Sequence, residues 1–276
     1  MSDAAAPAIP ALLLAGCGQM GGALLRGWRA RGLAQRYVIV EPGPGAAAFA
    51  GEADVTAVAA ADRLPADLKP DAVVFAVKPQ VMGEVAPAYR RFAGGGTLFL
   101  SIAAGKTLGF FTRQLGAGAA VVRAMPNTPA AIGRGIAVAC ASRAVAAPQR
   151  ALAERLLGAV GEVDWVADEA LIDAVTAVSG SGPAYVFLLI ECLAKAGVAA
   201  GLGEELAMRL ARATVAGAGE LARLSAEPAA RLRESVTSPG GTTRAALDVL
   251  MAPDGLEALL RRAVLAAARR SRELAD

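Results

Sequence analysis

The sequence contains no histidine, and this absence removes several kinds of catalytic chemistry. A Ser-His-Asp triad, a histidine general base and a histidine-ligated metal are all excluded. The chain has 3 cysteines, Cys17, Cys140 and Cys192, which stand far apart and include no C-x-x-C pair. Neither a disulfide framework nor a metal site is therefore predicted, and the scattered thiols are typical of a reduced, cytoplasmic protein.

Aromatic residues make up only 4% of the chain, and no basic tract is interleaved with them. This composition argues against nucleic acid as a partner. The formal net charge of +3 suits an anionic small molecule, although solubility alone would also explain it.

The uncharged stretch over residues 4–25 could be mistaken for a signal peptide, but its apolar core is broken by Gly16, Gly18 and Gly21. No other window predicts a membrane span, so no membrane partner is expected.

The segment LLLAGCGQMGG, residues 12–22, joins a strand signal to a helix signal. The apolar run over residues 11–15 predicts a buried strand, and the helix pattern continues to Arg31. Between them, Gly16, Gly18 and Gly21 form G-x-G-x-x-G, which allows a tight turn, close approach to a pyrophosphate and close helix–strand packing. The first turn of the helix also offers backbone N–H groups that can bind phosphate. A dinucleotide site is predicted, with a purely structural glycine turn as the alternative.

An acidic residue stands where a dinucleotide site needs one. Glu41 ends the apolar run over residues 37–40 and lies 20 residues after Gly21. A carboxylate at that point accepts hydrogen bonds from a ribose in Rossmann domains. Lys78 and the segments 101–105 and 125–128 also follow predicted strands. They are expected at the carboxyl edge of the sheet, where ligands bind.

Strand and helix signals alternate as far as residue 166, and only helix signals follow. This pattern predicts an α/β fold, with an N-terminal Rossmann-like doubly wound sheet followed by an all-α dimerisation domain. We place the dinucleotide-binding domain at residues 1–167 and the helical dimerisation and substrate domain at residues 168–276. The predicted strands cover residues 11–15, 37–40, 54–58, 71–77, 97–102, 120–125, 134–140 and 162–166. After the helix that ends at Arg31, the predicted helices cover residues 79–92, 107–115, 148–157, 168–178, 183–199, 203–225, 228–234, 244–251 and 254–274.

Two loops interrupt the helical half of the chain. SGSG, residues 179–182, lies in an apolar region, where glycine and serine either open backbone groups to a ligand or merely kink the helix. TSPGGTT, residues 237–243, leads into a helix. Either Thr242 or Thr243 caps that helix, or the loop holds a substrate carboxylate through backbone N–H groups. The alanine-rich helices need a surface to bury against, so we expect dimerisation.

The missing histidine also bears on the bond that is reduced. Reduction of a ketone calls for a positioned general acid, usually histidine or lysine. Hydroxyacid dehydrogenases with this layout carry that lysine in a G-x-G-x-x-x-K pattern, and in this chain Val186 stands at the lysine position, four residues after Gly182. An imine can arrive already protonated, so hydride transfer to it needs positioning more than acid catalysis. A threonine hydroxyl would suffice to bind its nitrogen. The residues therefore favour reduction of a C=N bond.

Four segments together resemble the pyrroline-5-carboxylate reductase family. They are DAVTAVSGSGPAYVF (residues 173–187), VTSPGGTT (236–243), AVKPQ (76–80) and MPNTP (125–129). The resemblance implies reduction of Δ1-pyrroline-5-carboxylate to L-proline by a nicotinamide cofactor, the last step of proline biosynthesis. It also implies a dimer interlaced through the helical domain, often in a ring of five dimers.

The resemblance assigns roles to individual residues of this chain. Thr243 would hydrogen-bond the ring nitrogen, and the partner subunit would complete the pocket. The substrate-binding residues would be Ser181, Ser238, Gly240, Gly241 and Thr242. The cofactor-binding residues would be Gly16, Gly18, Gln19, Met20, Gly21, Ala76, Lys78, Pro79 and Ala104, with Glu41 at the ribose.

One residue departs from the family's pattern. The family favours NADPH, whereas the carboxylate of Glu41 would repel a 2′-phosphate. Either NADH is accepted well, or Glu41 points away and a neighbour binds the phosphate. Two other functions stay open: reduction of another cyclic imine carboxylate, and a non-catalytic NAD(P)-binding sensor.

Overall fold

The computed structural model describes residues 7–275, and within them eight strands form one sheet in the order β3-β2-β1-β4-β5-β6-β7-β8. Each strand coincides with a predicted one, with ends shifted by a few residues. The strands are β1 Ile9–Ala15, β2 Ala34–Val40, β3 Val55–Val58, β4 Ala72–Phe75, β5 Leu98–Ser101, β6 Ala120–Met125, β7 Gly135–Ala141 and β8 Gly161–Trp165.

Strand β1 lies within the sheet, between β2 and β4. It pairs in parallel with β2 on one side and with β4 on the other, so the strand order reverses there. In open α/β sheets the crevice beyond such a reversal is where ligands bind. The predicted Rossmann-like sheet is confirmed.

One strand runs against the others. Strand β7 is antiparallel to β6, whereas the other neighbouring pairs are parallel. The sequence predicts no helix between these two strands, and only a 3₁₀ turn at Thr128–Ile132 lies there. A parallel connection requires a crossover of about a dozen residues or more, and the segment 126–134 is too short for one.

Ten α-helices lie within the described residues. They are α1 Gln19–Ala30, α2 Met82–Val85, α3 Leu108–Leu115, α4 Ala147–Gly158, α5 Leu171–Val175, α6 Gly182–Ala199, α7 Glu204–Leu224, α8 Ala229–Ser235, α9 Thr242–Leu250 and α10 Leu256–Glu273.

Two predicted helices are not continuous α-helices. The segment predicted over residues 79–92 consists of 3₁₀ turns on either side of the short α2. Pro87 has no N–H to donate to the carbonyl group four residues earlier, which explains why α2 does not continue. The helix predicted over residues 168–178 reduces to α5, followed by a π turn at Thr176–Gly180. The hydroxyls of Thr176 and Ser179 donate to carbonyl groups four residues back and compete with the backbone N–H groups there.

The core lies on both faces of the sheet. Successive residues of β1 point to opposite faces, so Leu12 and Leu14 belong to one cluster and Leu13 to the other. Strands buried on both faces are uniformly apolar, which is why β1 reads as a continuous hydrophobic run. The Trp28 indole N–H donates to the Leu156 carbonyl oxygen at 2.8 Å and ties α1 to α4.

The chain divides into two compact units. The first comprises residues up to Gly180 together with those from Ala268 onward, and the second is Ser181–Ala267. The second unit is helical, as predicted. The predicted domain boundary at 167/168 precedes the division between the units and stays a prediction. Small residues bring α6 and α7 together, since a Cβ on Gly197 would lie 3.2 Å from the Cβ of Ala207.

A long apolar helix runs over Leu171–Ala199. By length and composition alone its 29 residues could cross a membrane, since an 18-residue window within it has a mean hydropathy of 1.5, and 11% of that window is buried. Our expectation that no window meets that criterion is therefore wrong.

Candidate active site

The turn between β1 and α1 requires glycine at two of its three motif positions. Gly16 has φ of +91°, and a Cβ there would lie 2.8 Å from the backbone nitrogen of Val77. A Cβ on Gly21 would collide with the carbonyl oxygen of Gly16. A Cβ on Gly18, in contrast, would meet no atom of the described chain within 4 Å. Gly18 therefore borders open space, where a bound group can approach the backbone.

Helix α1 begins directly at this open space. Gly18 is its N-cap and no side chain of the described residues caps it, so Gln19 and Met20 present backbone N–H groups at the helix start. Twelve residues of aligned peptide dipoles place partial positive charge there. The turn therefore fits the pyrophosphate of a dinucleotide.

The Glu41 side chain points toward this turn. Its Oε2 accepts a hydrogen bond from the backbone N–H of Cys17 at 2.7 Å, and its Oε1 accepts one from Gly43 at 2.8 Å. Gly45 also packs closely here, since a Cβ on it would lie 3.2 Å from Glu41 Oε2. The carboxylate of Glu41 therefore lies beside the glycine turn and does not point away from it. The two glycines of the segment EPGPG, residues 41–45, are the sequence signal from which this close packing around Glu41 could have been predicted.

Cys17 is held as a neutral thiol within the turn. Burial, reinforced by the negative charge of Glu41, raises the pKa of Cys17 to about 11, and Arg26 opposes this shift. A thiol with so high a pKa is a poor nucleophile at neutral pH. Cys17 therefore serves packing.

The loops after β4 and β5 end at the same edge of the sheet as the glycine turn. The N–H of Ala76 donates to the carbonyl oxygen of Ala15 at 2.8 Å, and a Cβ on Gly21 would lie 3.2 Å from the Cβ of Ala76. Lys78 and Pro79 follow, with Lys78 exposed. Ala104, after β5, is also exposed. The structure thus places the predicted cofactor residues in the first unit, at the start of α1 and in the segments that follow β1, β2, β4 and β5.

Asn127, after β6, is a structural residue in this chain. It is buried, and its Oδ1 accepts a hydrogen bond from the N–H of Ile136 at 3.0 Å. This bond shapes the connection between the antiparallel strands β6 and β7.

The predicted substrate residues lie in the second unit. Gly240 has φ of +67°, and Gly241 is the N-cap of α9 without a side-chain hydrogen bond. Of the two alternatives for this loop, the one in which Thr242 or Thr243 caps the helix is therefore wrong. A Cβ on Gly241 would collide with Ser238 Oγ, so the serine folds over the glycine. The first N–H groups of α9 are left without a side-chain cap, as an anion site requires.

Ser181 follows the π turn and is the N-cap of α6. A π turn inside a helix often accompanies a functional site, because it displaces side chains and opens backbone groups. The SGSG segment therefore changes the helical geometry without forming a loop, and a Cβ on Gly180 would lie 2.5 Å from Met125 Cε.

Comparisons with known proteins agree with this arrangement. Residues 169–274 match the family model described as pyrroline-5-carboxylate reductase dimerisation, and residues 11–105 match the one described as NADP oxidoreductase coenzyme F420-dependent. The pyrroline-5-carboxylate reductase of Pseudomonas aeruginosa is 43% identical over 270 residues, which cover 97% of each chain.

Two solved structures share the whole architecture. A pyrroline-5-carboxylate reductase from Coxiella burnetii is 34% identical with a TM-score of 0.89, covering 96% of this chain and 98% of that one. The pyrroline carboxylate reductase of Plasmodium falciparum, solved with NADP bound, is 29% identical with a TM-score of 0.80, covering 97% and 98%. On this extent of likeness, the chain belongs to the pyrroline-5-carboxylate reductase family.

Proposed function

We propose that this chain reduces the C=N bond of Δ1-pyrroline-5-carboxylate and forms L-proline, the final step of proline biosynthesis. The observation that carries the proposal is the 43% identity to the Pseudomonas aeruginosa reductase across 97% of both chains. The site agrees with it, because a dinucleotide turn and an uncapped helix start provide for two anionic groups.

The protein's part in the reaction is to bind and orient. When bound, the nicotinamide supplies the hydride that adds to the imine carbon. Ser238, Gly240, Gly241 and Thr242 hold the substrate carboxylate at the start of α9. Ser181 faces the same pocket. The Thr243 hydroxyl hydrogen-bonds the ring nitrogen, which arrives protonated, so no histidine is required.

The cofactor is a nicotinamide dinucleotide, and we propose that NADH serves at least as well as NADPH. The residues that hold it are Gly16, Gly18, Gln19, Met20, Gly21, Ala76, Lys78, Pro79 and Ala104. Support for NADH comes from Glu41, because its carboxylate is fixed beside the turn by two backbone N–H groups. A 2′-phosphate brought next to it would meet like charge.

The match to the dimerisation model supports a homo-oligomer acting on a small molecule. We propose a dimer built on the second unit, with rings of five dimers as the larger assembly and the partner completing each pocket. Four consecutive residues of α6 are exposed in the single chain: Val186, Phe187, Leu188 and Leu189. A helix that is apolar on all sides is buried in its working state, and a partner chain would cover it.

We also propose that the long apolar helix over Leu171–Ala199 packs in this dimer and does not cross a membrane, and that the protein is cytoplasmic. The dimerisation model covers the helix from end to end. Purification from the soluble fraction without detergent would support this, and recovery only from membranes would contradict it.

A substrate comparison tests the reaction. The purified protein is given NADH and Δ1-pyrroline-5-carboxylate, or its six-membered cyclic imine homologue, and loss of the reduced nicotinamide absorbance is followed. We expect the five-membered substrate to have the higher kcat/KM. A higher value for the homologue would favour another cyclic imine reductase. Cofactor binding without turnover of either imine would favour a sensor.

A further inference from the structure

The last turn of α10 is anchored within the first unit. Its Ser271 is buried, and the Ser271 hydroxyl donates to Oδ1 of Asp173 in α5 at 2.6 Å. Ala268 on the same turn is also buried. A hydroxyl-to-carboxyl bond of this length is among the stronger side-chain hydrogen bonds. Helix α5 therefore holds the end of α10 in place.

The end of this turn lies against the loop after β5. Gly105 is buried with φ of +74°, and a Cβ there would lie 2.7 Å from the carbonyl oxygen of Leu274. Both the backbone angle and the available space restrict this position to glycine. Ala104, the preceding residue, is exposed. The backbone at Leu274 therefore packs against this loop at Gly105, the residue after Ala104.

Helix α5 is also connected to the far end of the same loop. Oε1 of Glu169, two residues before α5, accepts a hydrogen bond from the N–H of Leu108, the first residue of α3, at 2.8 Å. The same oxygen is paired at 2.8 Å with the guanidinium of Arg123, whose side chain is only 5% exposed. The loop between β5 and α3 is thus supported at Gly105 and at Leu108, and both supports depend on the position of α5.

We infer that the last turn of α10 positions the nicotinamide side of the cofactor site, and that Ser271 is its positioning residue. The inference rests on the proposed function, in which Ala104 flanks the nicotinamide. Without the bond to Asp173, the Leu274 carbonyl can move away from Gly105 and the Ala104 loop loses its support. A displacement of about 1 Å in such a support can cost roughly 10²-fold in rate.

The test compares two variants on the same turn. Ser271→Ala removes the buried bond, whereas Arg270→Ala removes an exposed pair with Glu273. Calorimetry of NADH binding, which needs no turnover, should show a dissociation constant raised roughly fivefold or more in Ser271→Ala and unchanged in Arg270→Ala. kcat should fall roughly tenfold in Ser271→Ala, with the KM for the imine little changed.

Equal NADH affinity in Ser271→Ala and the wild type would overturn the inference, as would an equal loss in both variants. If Ser271→Ala does not fold, Ser271→Cys keeps the volume with a weaker donor and should shift NADH affinity in the same direction. A wild-type protein that binds NADH but reduces no imine would instead contradict the proposed function. The calorimetric comparison would still decide the role of Ser271.

Discussion

At the residue scale, Glu41 does more than its position at the end of a strand predicts, because its carboxylate also holds the backbone around it. Both oxygens of its carboxylate accept backbone N–H groups, one from the glycine turn and one from its own loop. Each oxygen retains a second lone pair for a ribose hydroxyl. The side chain therefore shapes the glycine turn, and in the proposed function it places negative charge at the adenosine end of the cofactor.

Replacing Glu41 with glutamine should change cofactor preference. Glu41→Gln keeps the length of the side chain and one acceptor oxygen but removes the charge that opposes a 2′-phosphate. We expect the ratio of kcat/KM for NADPH to that for NADH to rise by roughly tenfold or more, because like charges brought together cost several kcal/mol. Steady-state kinetics with both cofactors measure this ratio.

Glu52→Gln is the matched control, because Glu52 is an exposed acid that pairs with Arg29 at the edge of the sheet. Its cofactor ratio should equal that of the wild type. An unchanged ratio in Glu41→Gln, or a wild type that strongly prefers NADPH, would show that Glu41 does not select the cofactor.

Thr243 is the residue that we propose to act in the chemical step. Thr243→Val keeps the shape of the side chain and removes the hydroxyl that we assign to the ring nitrogen. Loss of a hydrogen bond to a charged group costs about 1.5–3 kcal/mol, so kcat/KM for the imine should fall roughly 10- to 100-fold. NADH affinity, measured by calorimetry, should be unchanged.

Thr243→Ser restores the hydroxyl and should recover most of the activity. Thr214→Val, at an exposed threonine of α7, controls for the loss of a hydroxyl elsewhere in the same unit. Normal turnover by Thr243→Val would remove this residue from the mechanism.

At the scale of elements, the glycines of the turn after β1 differ in role, because Gly21 is required for packing and Gly18 borders the proposed cofactor site. A Cβ on Gly21 would collide with Gly16, whereas a Cβ on Gly18 would meet open space. Gly21→Ala should therefore lower the melting temperature and abolish NADH binding. Gly18→Ala should melt like the wild type yet bind NADH at least tenfold more weakly, which corresponds to about 1.4 kcal/mol.

Calorimetry and thermal unfolding of both variants measure this difference. Because Gly18→Ala tests binding without disturbing packing, it is the more informative variant. Wild-type NADH affinity in Gly18→Ala would favour the alternative of a purely structural glycine turn.

The strands were predictable because buried parallel strands are continuous apolar runs, as in β1 and β4. The glycine turn and Glu41 were predictable from their spacing. Local sequence patterns did not predict features that depend on side chains competing with the backbone for hydrogen bonds, or on contacts between residues distant in the chain. Among these are the π turn, which depends on the hydroxyls of Thr176 and Ser179, and the uncapped start of α9. The Ser271–Asp173 bond joins residues 98 positions apart, and no local signal predicts such a pair.

At the scale of the whole molecule, the apolar surface of α6 bears on assembly. Leu188→Arg should convert the oligomer to monomers in light scattering, because burying an unpaired charge in an interface is unfavourable by several kcal/mol. Activity should fall with assembly if the partner completes the pocket. Ile132→Arg, at an exposed apolar residue of the first unit, should leave the oligomer intact. A monomeric wild type would contradict the proposed assembly.

The central claim is that this chain holds a nicotinamide and a cationic cyclic imine so that hydride passes directly between them. The most direct measurement is the transfer of deuterium from NADH labelled at the transferring position of its nicotinamide. We predict L-proline with one deuterium on the ring carbon that formed the C=N bond, detected by mass spectrometry and NMR. Unlabelled proline, or no proline from a protein that binds both ligands, would contradict the account.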